Sequence, residues 1–195
     1  GDILENYLSR DLASEKAVYG ELAMHITDKA TLTLGYRRSD VEREKGSFEF
    51  ATGAFDAFAK TPLVGLQGTE VQEDVNTYKV NLEYALNDDI LLYTLASSGY
   101  RAGGFNPNSL VALSSSYESD TVWNYELGVK TSWLENRLTA NGVIYHIDWD
   151  DMQLFAQDST SFVPGIRNVG KARIQGLELE FNYLVRDDLR LGLNY

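Results

Sequence analysis

Trp123-Asn-Tyr-Glu-Leu-Gly-Val-Lys-Thr-Ser-Trp133 alternates over eleven residues between two chemically opposite sets. One set is Trp123, Tyr125, Leu127, Val129, Thr131 and Trp133; the other is Asn124, Glu126, Gly128, Lys130 and Ser132. A period of two is a β-strand. Ten steps of about 3.3 Å span about 33 Å, and a tilt near 40° projects this to about 25 Å, the height of the apolar band on a membrane-spanning barrel. Aromatic residues close both ends of the uncharged face, where rings can lie at headgroup level. Taken alone, the same strand also fits a soluble β-sandwich.

Composition narrows the class. The 195 residues are 44% hydrophobic, enough for one domain with a sizeable core and too many for a disordered chain. No run approaches the roughly 18 apolar residues of a membrane helix, and the densest segment, 90–96, is broken by Thr94. A net charge of −12 argues against nucleic acid, whose phosphates need clustered Lys and Arg, and permits attraction of cationic complexes. Without cysteine there is no disulfide framework and no thiolate metal site. The chain opens at Gly1 with no Met and no charged-then-apolar leader, so it reads as a piece of a longer protein.

Alternation between turn signals yields about eight strands, joined by connections of two lengths. The short ones are 27–29, 86–89, 134–137 and 185–188; the long ones are 40–76, 101–120 and 155–167. Short and long alternate strictly, as in a meander with tight turns on one rim and elaborated loops on the other. Pro62, Pro107 and Pro164 all fall in the long class, away from every expected strand.

The two-faced pattern recurs. Tyr78, Val80, Leu82 and Tyr84 oppose Lys79, Asn81 and Glu83; Leu32, Leu34 and Tyr36 oppose Thr31, Thr33, Gly35 and Arg37. Leu177, Leu179, Phe181 and Tyr183 oppose Gly176, Glu178, Glu180 and Asn182; Leu189, Leu191, Leu193 and Tyr195 oppose Arg190, Gly192 and Asn194. None of these apolar sets carries a charge. Strand 90–100 has apolar residues on both faces, and 138–152 becomes regular only at Val143, Tyr145, Ile147 and Trp149, which are assigned outward. A sandwich would also alternate, but its connections would not sort by length. The expected fold is therefore all-β: an antiparallel up-and-down transmembrane β-barrel segment, about eight strands of a larger barrel, forming an open curved sheet with an apolar convex face.

Four stretches add a resemblance. Ser98-Gly-Tyr-Arg-Ala-Gly-Gly-Phe-Asn106, Trp123 to Lys130, Tyr145-His-Ile-Asp-Trp-Asp-Asp-Met-Gln153, and Asn168-Val-Gly-Lys-Ala172 with Gly176-Leu-Glu-Leu-Glu180 resemble, in order and spacing, the C-terminal barrel half of TonB-dependent outer-membrane receptors. The resemblance covers nearly the whole chain and is weakest over 40–76. It implies a barrel of about 22 strands filled by an N-terminal plug domain. No plug-like segment or energy-coupling box is found in 1–195, and Tyr195 falls mid-strand, so the resemblance implies a barrel segment that does not transport alone. It also implies the outer membrane of a Gram-negative bacterium. The implied partners are outer-membrane lipid and lipopolysaccharide, the TonB complex acting through the plug, and an iron–siderophore complex or another scarce nutrient such as cobalamin or a glycan. A passive general porin and a soluble β-rich binding domain are the competing readings.

Several residues invite a chemical reading. Gly103-Gly104 after Tyr100-Arg101 can take positive φ and break a strand into a loop. Gly128, Gly142, Gly176 and Gly192 fall in the inward sets, where a missing side chain leaves room for a plug or for a long neighbour. His146, Asp148, Asp150 and Asp151 have metal-ligand chemistry, but His146, Asp148 and Asp150 recur every second residue and read better as a wet lumen wall; His25 also faces inward. Glu178 and Glu180 have the spacing of a carboxylate pair, yet lumen-facing Lys79, Glu83, Glu126, Lys130 and Arg190 offer cross-strand ion pairs instead. No nucleophile, metal site or cofactor-binding motif is identified, and no enzyme is expected. Lys171 and Arg173 fall on the outward parity above the apolar band, where they read better as surface charges with no special role than as contacts for lipopolysaccharide phosphates. Ligand capture is expected at the loop rim, at Arg101, Phe105, Asn106, Tyr117, Asp158 and Arg167.

Overall fold

The computed structural model describes residues 4–52, 69–106, 116–157 and 164–195. These form twelve strands: β1 (Leu4–His25), β2 (Ala30–Thr52), β3 (Thr69–Asn87), β4 (Ile90–Arg101), β5 (Gly104–Phe105), β6 (Ser116–Tyr117), β7 (Asp120–Trp133), β8 (Leu138–Asp150), β9 (Gln153–Gln157), β10 (Pro164–Asn168), β11 (Lys171–Arg186) and β12 (Leu189–Asn194). Eight of them make one antiparallel sheet in the order β1-β2-β3-β4-β7-β8-β11-β12, and β5–β6 and β9–β10 are small separate hairpins. The sheet is an unclosed meander, as the length rule predicts. Turns 26–29, 88–89, 134–137 and 187–188 share one rim, and the two hairpins sit in the connections of the other.

Two expectations about the connections are corrected. The 40–76 segment is mostly strand: β2 runs to Thr52 and β3 begins at Thr69. At about 3.3 Å per residue, the 23 residues of β2 span about 75 Å and the 13 of β8 only about 43 Å. β1–β3 therefore overshoot their neighbours on the loop side. Polar residues such as Asp40, Glu42, Glu44 and Asp74 interrupt the apolar alternation there, so the sequence reads as loop, yet backbone pairing continues because ladder hydrogen bonds do not require apolar side chains. Pro164, expected in a loop, opens β10, at the first position of a strand, where its missing N–H is tolerated.

Directly opposed residues of antiparallel strands share a face, so the register assigns every side chain. Leu34, Val80, Ala96, Tyr125 and His146 form one cross-strand row, and Leu82, Thr94, Leu127, Ile144 and Leu177 another. On this face lie Tyr78, Tyr125, Leu127, Val129, Leu179 and Phe181. The opposite face takes Lys79, Glu83, Glu126, Lys130, Glu178 and Glu180, with His25 and Arg190. The partition matches the sequence parity of β2, β3, β7, β11 and β12.

Strand β8 reverses its expectation. Val143 pairs with Gly128 and Glu178, and Tyr145 with Glu126 and Gly176, so Val143, Tyr145, Ile147 and Trp149 lie on the charged face. Gly142, His146, Asp148 and Asp150 consequently lie on the apolar face, not on an inner wall. The cause is steric. Tyr145 lies flat over Gly176, and Tyr93 of β4 over Gly128, so closely that a Cβ on either glycine would collide with the phenol ring. The bulky residues of β8 and β4 thus fill glycine gaps on the polar face. On the apolar face β4 presents Thr94, Ala96 and Ser98 in succession towards the loop rim, and over these small residues Tyr78 of β3 stacks on Trp123 of β7, 6.3 Å between centroids and 5° between planes. Tyr36, Tyr78, Trp123, Tyr125 and His146 form a continuous ring ladder on that face.

Two substitutions test the face assignment in full-length protein. Gly128→Val drives a side chain into Tyr93 and is expected to cost about 1–3 kcal/mol. Leu127→Arg puts a charge at mid-band on the apolar face and is expected to cost about 2–4 kcal/mol in a bilayer. Urea midpoints followed by tryptophan fluorescence in liposomes read both; an unchanged midpoint for Leu127→Arg rejects a lipid-facing surface.

Candidate functional site at the loop rim

The best-buried part of the described molecule is not in the middle of the sheet. Val41 and Val75 are the buried hydrophobic residues, and Ser39, Asn106 and Asp120 are buried with them. Val41 and Val75 lie on the charged-face parity of the overshooting β2 and β3. The β4–β7 connection is tied to the same two strands. Glu73 of β3 accepts from the backbone N–H of Gly103 (3.2 Å) and of Ser119 (3.0 Å), and Lys45 of β2 donates to the carbonyl of Asn106 (3.0 Å).

A polar clasp ties this connection to the β8–β11 connection. The Arg101 guanidinium donates through Nη2 to Asp120 Oδ2 at 2.5 Å and to the Gln153 carbonyl at 3.0 Å, and lies 5.5 Å from the Trp149 ring centre. The Gln153 backbone N–H donates to Asp120 Oδ2 (3.1 Å). Its side-chain amide donates towards three carbonyls, those of Arg101, Ala102 and Glu118, at 2.9–3.1 Å. Asn168, paired with Gln153 across the β9–β10 hairpin, accepts from the Glu118 N–H (2.8 Å) and donates to the carbonyls of Glu118 and Asp151 (both 2.9 Å). Asn106 mimics a strand partner, accepting from the Ile166 N–H at 2.6 Å and donating to the Ile166 carbonyl at 2.9 Å. These side-chain amides satisfy backbone groups that irregular segments would otherwise leave unpaired out of water.

The expected site residues are thereby placed. Arg101, Phe105, Asn106, Tyr117 and Arg167 all lie at the loop rim: Phe105 pairs with Ser116, Tyr117 with Gly104, and Arg167 with Leu154. Asp158 lies outside the described residues. Arg101 and Asn106 hold loops together through the contacts above. Gly103-Gly104 is explained by crowding and not by positive φ: a Cβ on Gly103 would collide with the Tyr117 carbonyl, while among the described glycines Gly170 is the one at positive φ. Glu73, Asp120, Gln153 and Asn168 join the site only in the structure. Gln153 and Asn168 stand in the quoted motifs, and the available signal was an amide at each base of a long connection.

On the charged face the expected ion pairs among Lys79, Glu83, Glu126, Lys130 and Arg190 give way to other partners. Lys79 pairs with Glu21 at 2.9 Å, Lys130 lies 5.4 Å from the Tyr93 ring centre, and Tyr93 donates to Glu126 at 3.1 Å. Glu180 accepts from Asn141 and Asn182, both at 3.0 Å.

Burial pushes the Asp120 carboxyl up, but hydrogen bonds from Arg101 and the Gln153 amide, with the Arg101 charge, outweigh it and hold the group below its ordinary 3.8. A depressed carboxylate contributes its stability above the unfolded value and loses it as pH falls through the folded one. Amide hydrogen exchange at Gly103 and Gln153 should therefore be independent of this ionisation above pH 3.8 and accelerate, beyond the intrinsic rate, only below it. Asp120→Asn, which leaves Arg101 without its charged partner, should deprotect both amides at neutral pH by about 1–3 kcal/mol. Unchanged protection in the variant would refute the clasp.

The model of the family described as TonB dependent receptor-like, beta-barrel, matches residues 4–195. A curated relative, "Probable TonB-dependent siderophore receptor PiuA" of Acinetobacter baumannii, is 22% identical over 178 residues, covering 88% of this chain and 22% of the relative. The ferric yersiniabactin uptake receptor FyuA from Yersinia pestis superposes with a TM-score of 0.76 at 23% identity, over 97% of this chain and 27% of FyuA. The copper transporter OprC superposes with a TM-score of 0.65 at 16% identity, over 95% of this chain and 30% of OprC. The solved structures show the fold. The chain spans about a quarter of the length of these proteins.

Proposed function

Because this chain belongs to the TonB-dependent receptor β-barrel family, whose barrels stand in the outer membrane of Gram-negative bacteria, we propose that it is a section of the barrel wall of a receptor for energy-coupled uptake of a scarce nutrient, a ferric siderophore first. The observation that carries the reading is the inturned loop frame. A passive porin needs an open bore, whereas here the β4–β7 connection folds onto the inner wall of β2–β3 and is clasped to the β9–β10 hairpin. In this reading the face of Lys79, Glu83, Glu126, Lys130, Glu178 and Glu180 is the lumen. Arg101 and Asn106 hold the frame, and Phe105, Tyr117 and Arg167 belong to the mouth that meets the ligand. Coupling to TonB passes through a plug domain carried elsewhere in the full-length receptor, and lipid and lipopolysaccharide surround the apolar face.

The test uses the full-length receptor in a strain lacking its own copy. Cells are supplied with radioiron as ferric yersiniabactin, a ferric catecholate or a ferric hydroxamate. Accumulation of one chelate that stops when TonB is deleted is the expected result. Phe105→Ala and Tyr117→Ala together should weaken binding of that chelate while heat-modifiable gel mobility stays unchanged. Diffusive entry of small solutes, independent of TonB and of the chelate, would overturn the reading in favour of a porin.

A further inference from the structure

A guanidinium removed from water needs acceptors for its charge and its five N–H donors, and leaving them unmet costs free energy. Arg43 of β2 is half-buried and lacks them. It lies on the charged-face parity of the overshooting wall, directly opposite Ala13 of β1 and Val71 of β3, whose side chains accept nothing. Its Nε is shut off from solvent without a hydrogen-bond partner. Among the described residues the ion pairs of β1–β3 are Arg37–Glu15, Arg38–Asp74 and Lys79–Glu21, and none includes Arg43.

The acids diagonal to Arg43 on the same face are engaged elsewhere or exposed. Glu15 accepts from Arg37 at 2.6 Å and from Tyr100 at 3.2 Å, Glu73 holds the backbone N–H groups of Gly103 and Ser119, and Asp11 is exposed. The Arg43 head instead meets the β5–β6 hairpin. A Cβ built on Gly104 would stand 3.1 Å from Arg43 Nη1 and 2.5 Å from Tyr117 Oη. The guanidinium and the phenol hydroxyl thus stand against the same side of one glycine, on the side its missing side chain leaves open. Two residues along β2, about 6.6 Å away, Lys45 gives one donor to the Asn106 carbonyl and adds a second positive charge. Two cations and a hydroxyl gathered without a carboxylate of their own are completed by an anion.

We propose that Arg43, Tyr117 and Lys45 form a subsite for a carboxylate of the cargo: its two oxygens take the Arg43 guanidinium and the Tyr117 hydroxyl beside Gly104, and Lys45 adds to the positive field. The inference rests on the receptor reading given above and deepens it, from a scarce nutrient chelate to one that carries carboxylates not bound to its metal. A free carboxylate fits better than a catecholate. It is a planar two-oxygen acceptor that matches the guanidinium fork, whereas the charged oxygens of a ferric catecholate are already bound to iron. A neutral chelate would leave Arg43 as unmet as it stands without cargo.

The experiment titrates folded full-length receptor in detergent, read by tryptophan fluorescence quenching, with three probes: ferric citrate, which carries free carboxylates, a neutral ferric tris-hydroxamate and an anionic ferric tris-catecholate. Ferric citrate should bind about tenfold more tightly than either of the others, and Arg43→Gln should bring that ratio to about one. If Arg43→Gln fails the heat-modifiability check for folding, Tyr117→Phe, which keeps the ring opposite Gly104, carries the test with a several-fold loss of ferric citrate affinity. Wild-type affinity for ferric citrate in the folded variant, or a preference of the wild type for the hydroxamate, overturns the proposal. Equal binding of the catecholate overturns the carboxylate assignment in favour of an unspecific positive field. A receptor that binds and imports only the hydroxamate under TonB control loses this subsite alone, and one that binds none of the three while small solutes diffuse through it loses the receptor reading as well.

Discussion

The constraint on which the rest depends is the hydrogen-bond register between neighbouring strands. A wall in contact with lipid has no water to satisfy a backbone N–H or carbonyl, so every strand there must pair along its length. Once Leu127 stands opposite Thr94 and Ile144, the faces of the paired residues in the eight-stranded sheet are decided in steps of two, and a slip of one residue would exchange the apolar and charged faces. Face complementarity follows from the same register. Tyr93 and Tyr145 find Gly128 and Gly176 because they are direct cross-strand partners, and Tyr78 meets Trp123 because β4 interposes small residues between them.

Where the ladder ends, the same need for backbone satisfaction is met differently. At the loop rim, Gln153, Asn168 and Asn106 act as surrogate backbone, and Asp120 neutralises the guanidinium that spans both connections. An amide side chain carries both a donor and an acceptor, which makes it a local substitute for a strand partner. The overshoot of β2 and β3 supplies the wall on which this frame is laid, through Glu73 and Lys45. Wall height and loop fold are thus one feature: without the extended strands, Glu73 and Lys45 would not reach the backbone of the β4–β7 connection.

The apolar face shows a similar economy of placement. Its charge is gathered at the loop end, in pairs between β8 and β11 and between β2 and β3, so the midplane rows remain uncharged. The His146, Asp148 and Asp150 series, which in isolation suggests a lumen wall, sits there because β8 turns its bulky apolar residues to the other side.

The sequence by itself determined the strand character, the meander, the rim of tight turns and the parity of strands whose two faces differ sharply, such as Trp123 to Trp133 and 177–183. A strict alternation leaves one solution, because lipid excludes charge and the polar set has nowhere else to go. Only the tertiary structure decided β4, β8, the reach of β2–β3 and the loop clasp. On β8, Val143 and Tyr145 compete with Ile144 and Leu138 for the lipid side, and hydropathy is nearly indifferent between them. The choice was made by Gly128 and Gly176 on neighbouring strands, which accept bulky partners only across the register. The clasp was hidden for the same reason. Arg101, Asp120, Gln153 and Asn168 are ordinary polar residues in the chain, and their roles arise because pairing brings the ends of β4, β7 and β8 and the β9–β10 hairpin to one point on the rim.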